Sequence, residues 1–359
     1  MTMRLDRTLS VMPGSSFVKL AGEAAFPFLG NVHNILSMEK KIDIECADVI
    51  DFPCDVLILK YAQAHYGADG DVAYRLTSDE ETASKITPLP DEYVFLPSEG
   101  KIAAKQVLFV GVNSLGRFGY GQIRSFANYS MEIVASHMPE VKHVAMTMHG
   151  VGYGLDEREA FLAQMAGLLD AFREYLVPNS LECITIVERN RGRATRIKNI
   201  FDEYIVSKSQ LNNERSFAKT FARSEIDAGS QSNKKPHIFV AMPFTEDMED
   251  VYGFGIQGPI NAAGYLCERV DMTTFTGDIL GQIKVRIETA SLVIADLTGA
   301  NPNVYLEVGY AWGRKKPTLL IAKKHEELKF DVRGHRCLIY KNISDLANKL
   351  KKDLVELLS

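Results

Sequence analysis

Asp296 and Glu307 are the side chains of this sequence best suited to chemistry at a sugar carbon. An ionised carboxylate in a cleft can attack an anomeric carbon, or stabilise the positive charge that builds there as a base departs. Asn303 and Tyr310 fall on the same helical stripe as Glu307, one turn to either side. An amide there suits ribose hydroxyls, and an aromatic ring suits a base. Phe244 is a second candidate for base stacking. Asp271 and Asp278 could hold a proton for the leaving base or fix a ribose hydroxyl. For each of these residues a purely structural role competes: core or lid packing for Phe244, a solvated strand end for Asp271, a favourable helix-start charge for Asp278.

The elements that must position them are legible. Leu292 to Ala295 is apolar without alternation, which predicts a strand covered on both faces, as in a parallel sheet. Asp296 closes it at the carboxyl end, where open α/β sheets bind ligands. A short loop leads to Asn301, a good helix N-cap, and Pro302, which suits the first helical position. Val304, Val308 and Ala311 recur at helical spacing and should face the sheet. Glu307 then lies early in the helix, where the positive helix start favours its ionised form.

The string from Glu307 to Ala311, the preceding strand ending in Asp296 and the Lys316-Pro317 start of the next strand resemble nucleoside 2-deoxyribosyltransferases and related nucleotide N-glycoside hydrolases. The arrangement is also similar to NAD-cleaving TIR domains. The resemblance covers about the last third of the chain. It implies a flavodoxin-like domain in which a helix glutamate acts on the anomeric carbon, with the end of the strand before Pro243 lining the sugar and base pocket. It also implies a role in antiviral defence through depletion of a nucleotide pool. Around this motif the sequence predicts a first strand at 236–242, further strands at 265–271, 317–322 and 336–340, and helices at 277–290 and 343–358. These make a five-stranded parallel sheet. Tyr252 to Gly258 formally contains G-x-G-x-x-G, but it does not directly follow a strand and Pro259 falls within the motif's helix. It is read as part of a helix over 250–263 and not as a dinucleotide fingerprint.

The first half also alternates strands and helices. Buried strands are predicted at 55–60, 106–111, 143–148 and 181–188, with helices at 120–138 and 156–175. Two glycine turns, Gly67 to Gly70 and the Gly150, Gly152, Gly154 series, follow strands and precede helices. Such turns aim backbone N–H groups at phosphates. This order of elements resembles a macro domain, the fold that holds ADP-ribose. Asp48 stands where that family places its adenine-binding aspartate, and the two glycine turns where its diphosphate loops lie. Lys60 to Gln63 replaces the family's Asn-Ala-Asn stretch, which speaks against deacylase or ADP-ribosylglycohydrolase activity. The same core resembles the non-catalytic N-terminal domain of leucine aminopeptidases, a scaffold without a ligand.

The fold class is therefore α/β, with two three-layer domains. An N-terminal arm spans 1–40, a macro-like domain 41–205, a polar linker 206–235 and the deoxyribosyltransferase-like domain 236–359. The net charge of −5 gives no general attraction to nucleic acid or anionic membrane, and no run is long and apolar enough to span a bilayer. The five cysteines are scattered without a CxxC pair, which argues for reduced thiols in a cytoplasmic protein and against a zinc site or disulfide frame. No cofactor or metal is implied; NAD enters as a candidate substrate, since its charged nicotinamide leaves without protonation. The expected function is cleavage or transfer of an N-glycosidic bond, gated by a nucleotide-type activator at the N-terminal domain of a homo-oligomer. A non-catalytic nucleotide-binding protein is the alternative, and a structural assembly protein a third reading.

Overall fold

The computed structural model describes residues 42–77, 83, 86–114, 117–210, 228–270, 279–323, 332 and 334–358, with side chains beyond Glu203 in the helix ending at Gln210, and those of Asn233 and Ile279, excepted. The arm at 1–40, Asp271 and Asp278 lie outside these residues, as does most of the polar stretch before 228. The described chain is α/β throughout and carries two sheets. It divides into two compact units, 1–118 with 122–148 and 164–194, and 119–121 with 149–163 and 195–359.

The first unit holds a six-stranded sheet. Its strands are β1 (Ile42–Glu45), β2 (Val56–Tyr61), β3 (Tyr93–Pro97), β4 (Gln106–Gly111), β5 (His143–Thr147) and β6 (Cys183–Val187), in the order β1-β6-β5-β2-β4-β3. All neighbours pair in parallel except β3, which runs antiparallel on the edge beside β4. Every residue of the central β2 is buried, which is why it reads as one apolar run. The sequence does not announce β3: it ends in Pro97 and only one of its five residues is buried, so it carries no clear periodic signal.

The helices are α1 (Ala68–Thr77), α2 (Tyr120–His137), α3 (Glu157–Arg173) and α4 (Arg191–Gln210). Helix α4 was also not foreseen. It is mostly polar, and among its described side chains only Ala194, Arg196, Ile197 and Phe201 are buried.

The second unit is built on a five-stranded, all-parallel sheet. Its strands are β7 (His237–Ala241), β8 (Leu266–Glu268), β9 (Leu292–Asp296), β10 (Thr318–Ala322) and β11 (Cys337–Ile339), in the order β8-β7-β9-β10-β11. Numbered within the unit, this is the 2-1-3-4-5 flavodoxin-like order, whose topological switch point falls between β7 and β9. Strand alternation splits the core in two. Ile294, with Ile238, Val240, Ile321 and Tyr340, packs under α9 (Ile343–Leu358) and the helical stretch from Glu246 to Ala262. Val293, Ala295 and Leu297 pack under α7 (Ile279–Thr289) and α8 (Pro302–Gly313).

The 246–262 stretch is α5 (Glu246–Asp250), a π-helical segment (Val251–Gln257) and α6 (Gly258–Ala262). Two glycines of the formal G-x-G-x-x-G string, Gly253 and Gly255, sit inside it where a larger residue would crowd its neighbours. A Cβ on Gly253 would lie 2.5 Å from the Arg196 side chain, and one on Gly255 would lie 2.9 Å from Leu346. Among the described residues no helix is long and apolar enough to cross a membrane.

Candidate functional site

The switch point of the second sheet is framed by the ends of β7 and β9, where Ala241 pairs with Ala295. Met242, Pro243 and Phe244 continue from β7; Asp296, Leu297 and Thr298 continue from β9. Helix α8 starts as its sequence requires. The Asn301 side chain accepts the Asn303 N–H at 2.9 Å, and Pro302 occupies the first turn. Val304, Val308 and Ala311 are buried against the sheet.

Glu307 comes in the second turn of α8 and is only 9% exposed. Among the described residues no hydrogen-bond donor or cation reaches its carboxyl. Burial without a partner pushes its pKa up to about 8. This corrects the expectation of an ionised group. The helix start supplies a fraction of a charge that fades within the first turn, and desolvation outweighs it. Around neutral pH the free protein holds Glu307 mostly protonated.

Asp296 is fully buried and its carboxylate is bonded. Oδ1 accepts the Thr298 N–H at 3.0 Å and Oδ2 accepts the Tyr340 hydroxyl at 2.9 Å. Strand alternation turns it to the face of Ile294 and Tyr340, whereas α8 packs on the opposite face. Asp296 therefore fixes the loop between β9 and α8, and it is not paired with Glu307. Of the stripe mates, Asn303 is exposed and Tyr310 half-buried. The Tyr310 hydroxyl donates to Glu288, and Lys284 Nζ lies 5.8 Å from its ring.

Phe244 is half-buried, with the Arg269 guanidinium 4.5 Å from its ring centre. Arg269 follows β8 and is the site's least anticipated member. It lies 3.7 Å from the Tyr252 ring, and its Nη2 donates to Glu249 Oε1 at 2.5 Å. Glu249 Oε2 accepts from Arg196 Nη2 at 3.1 Å, and Arg196 grips Glu157 through two bonds of 2.8 and 2.9 Å. Burial alone would raise the Glu249 pKa, but Arg269 and then Arg196 outweigh it and hold the group below its usual value. These partners come from distant parts of the chain, so no local spacing announces them.

The Gly150, Gly152 and Gly154 turn has the positive φ values its glycines predict: 79°, 83° and 96°. Much of its backbone is already occupied. The Tyr153 and Leu155 N–H groups donate to the Gly150 carbonyl, and the Gly154 N–H donates to the Arg269 carbonyl at 3.1 Å. Next to the turn, Asp156 caps α3 through the Glu159 N–H and also accepts the Cys267 N–H and the Asn261 amide. Burial pushes the Asp156 pKa up to about 6 against those three bonds. The turn and its neighbours thus close the outer edge of β8, which would otherwise present unpaired backbone groups.

In the first unit, Asp48 is exposed and accepts the Ile50 N–H at 2.9 Å in a local turn. Gly67, with φ 64°, opens α1, and its carbonyl accepts the Asp71 N–H. Gly70 faces His65 closely enough that a Cβ would lie 3.2 Å from the histidine Cβ. Between them Asp69 is buried, with Lys60 Nζ at 3.9 Å. Separately, a cleft of about 990 Å³ lies beside β3 and α2, lined among others by Asp91, Tyr93, Asn113, Tyr129 and His137. It contains none of the residues singled out from the sequence. All five cysteines are unbridged. Among the described residues no group of three or more His, Cys, Asp or Glu side chains is arranged to hold a metal ion.

No protein-family model matches the sequence. No curated protein matches it either. Among solved structures the chain is similar to a macrodomain of Oceanobacillus iheyensis with MES bound, at 14% identity over 46% of this chain and 93% of that one, with a TM-score of 0.37. It is likewise similar to a macrodomain of Trypanosoma brucei in complex with ADP-ribose, at 13% identity over 46% of this chain and 69% of that one, with a TM-score of 0.37.

Proposed function

We propose that the second unit breaks the N-glycosidic bond of a nucleotide-type substrate, and that Glu307 is the acting carboxyl. One observation carries this reading: a buried carboxyl with no partner among the described residues, on the capped helix that follows the switch-point strand of a 2-1-3-4-5 sheet. Keeping such a group costs stability, and perturbed groups of this kind concentrate at functional sites. The missing partner is the positive charge of the substrate. A nicotinamidium ribosyl group, or the sugar cation formed as a base leaves, would draw Glu307 into its ionised form.

With NAD the base departs as neutral nicotinamide and takes the bonding electron pair. Glu307 shields or captures C1′, and water then adds there and releases a proton. Phe244 is the proposed base platform, Asn303 and Tyr310 border the same helix face, and Asp296 positions the loop between β9 and α8. Asp271 and Asp278 stay candidates for the leaving-base proton. The first unit is proposed to hold a nucleotide-type activator near Asp48, Gly67 and Gly70; the Gly150 to Gly154 turn falls in the second unit. A role in antiviral defence is part of the same proposal.

A second reading of the same site follows from the pKa of about 8. A protonated Glu307 is also a competent acid for a neutral nucleoside, whose base must be protonated to leave.

The deciding experiment measures base release from NAD and a nucleoside panel across pH, for the native chain and Glu307→Gln. A nucleophile or cation shield gives kcat/KM rising with pH through about 8, and an acid gives it falling there. If neither protein liberates any base, with or without added nucleotides, the site binds without turnover and the proposal is wrong.

A further inference from the structure

Arg269 has a chemistry that neither the sequence motifs nor the proposed reaction uses. It is 4% exposed, so it is not a free cation waiting for a phosphate. Its guanidinium carbon lies over two aromatic rings, 3.7 Å from the centre of Tyr252 and 4.5 Å from that of Phe244. Nη1 also approaches Met242 Sδ at 3.8 Å. Met242 and Phe244 are the residues that continue β7 at the switch point, so one side chain touches both.

The arginine is itself held from two directions. Its side chain is fixed by Glu249, which Arg196 holds in turn. Its backbone carbonyl takes the Gly154 N–H. A planar, always-charged guanidinium against a ring is attractive and restricts the ring's tilt. A lysine at the same place could keep the ion pair with Glu249 but not the flat contact.

We infer that Arg269 is a positioning residue: it sets the plane of Phe244 at the end of β7, and through Phe244 it sets how tightly the second unit holds a stacked base. This rests on the reading of Phe244 as the base platform. It predicts that sequence changes at Arg269, which need not touch substrate, change affinity for the base and leave the chemistry at C1′ in place.

The test uses the full chain and 2-aminopurine riboside, a nucleoside whose fluorescence is quenched on stacking. Titrations are made in a Glu307→Gln background, with Phe244→Leu and Arg269→Lys added singly; base release is measured in parallel without the Glu307 change. The inference expects quenching in the Glu307→Gln protein. It expects at least about a fivefold weaker Kd with less quenching at saturation for Arg269→Lys, and a comparable or larger loss for Phe244→Leu, by analogy with measured base–aromatic stacking. In base release, Arg269→Lys should raise KM with kcat nearly unchanged. Circular dichroism and melting of Arg269→Lys separate a misplaced ring from an unfolded chain, and Tyr252→Phe serves as a folded control that keeps both rings.

Unaltered Kd and quenching in folded Arg269→Lys would overturn the inference while leaving any observed base release intact. Loss of kcat with KM unchanged would also overturn it. An absence of both base release and quenching in every form would remove the glycosidase reading and this inference together.

Discussion

Glu249 and Glu307 are two carboxylates drawn largely out of water in the same compact unit, and they end in opposite states. Glu249 lies between two arginines and is held below its usual pKa despite its burial. Glu307 is buried with no partner among the described residues and is pushed up to about 8. Burial is common to both, so burial does not decide the charge. What decides it is whether the fold delivers an opposite charge to the same place. A saturated carboxylate of the first kind holds structure together. A bare one of the second kind is a cost that packing elsewhere must offset, and it is poised to respond to a ligand.

The comparison can be broken most severely at the bare group. Glu307→Gln should reduce base release roughly a hundred- to ten-thousandfold, the range by which a positioned acid or base contributes. Single-turnover measurement with NAD or the best nucleoside checks it. Next in size, Glu249→Ala strips the shared partner from Arg196 and Arg269, both nearly fully buried. Arg196 keeps Glu157, but the buried charge of Arg269 loses its carboxylate, which should cost about 3–5 kcal/mol, visible in urea or thermal melts. The same truncation at Glu307 should show no such loss near neutral pH, because the group carries little charge there.

A third experiment sharpens the contrast through pH. Glu307 binds its proton more tightly folded than unfolded, where its value is near 4.5. Native stability should therefore fall as pH rises from about 4.5 to about 8 and level off above, at roughly 1.4 kcal/mol per pH unit across the window. Glu307→Gln removes that slope, so the variant should be the more stable protein at pH 9 by a few kcal/mol. Asp156, raised to about 6 by burial, adds a slope of the same sign at lower pH, which both proteins share.

Smaller effects test the frame around the site. Tyr340→Phe removes the hydroxyl bonded to Asp296 Oδ2 and should cost about 1–2 kcal/mol. Asn301→Ala removes the cap of α8 and should cost about 1 kcal/mol. If Asn301→Ala instead lowered base release far beyond its stability loss, the loop before α8 would be touching substrate.

The local architecture of this chain was written into its residues. Apolar runs such as Leu292 to Ala295 make doubly covered strands wherever they occur, and Asn301-Pro302 starts a helix by its own stereochemistry. From these followed the α/β class, the five-stranded parallel sheet and the burial of Val304, Val308 and Ala311, because each depends on neighbours within a turn or a strand. Helix α4 and strand β3 escaped notice because their local signals are weak and their partners supply the burial.

Charge was the part that only tertiary structure decided. Whether Asp296 meets Glu307 or Tyr340 depends on which face of the sheet each side chain takes. Whether Glu307 is ionised depends on what the rest of the chain leaves out of reach. The role of Arg269 depends on Phe244, Glu249 and Tyr252 folding in around it from other elements. Electrostatic energies depend on distances across the fold and on excluded water, and the order of residues along a chain specifies neither until the chain has folded.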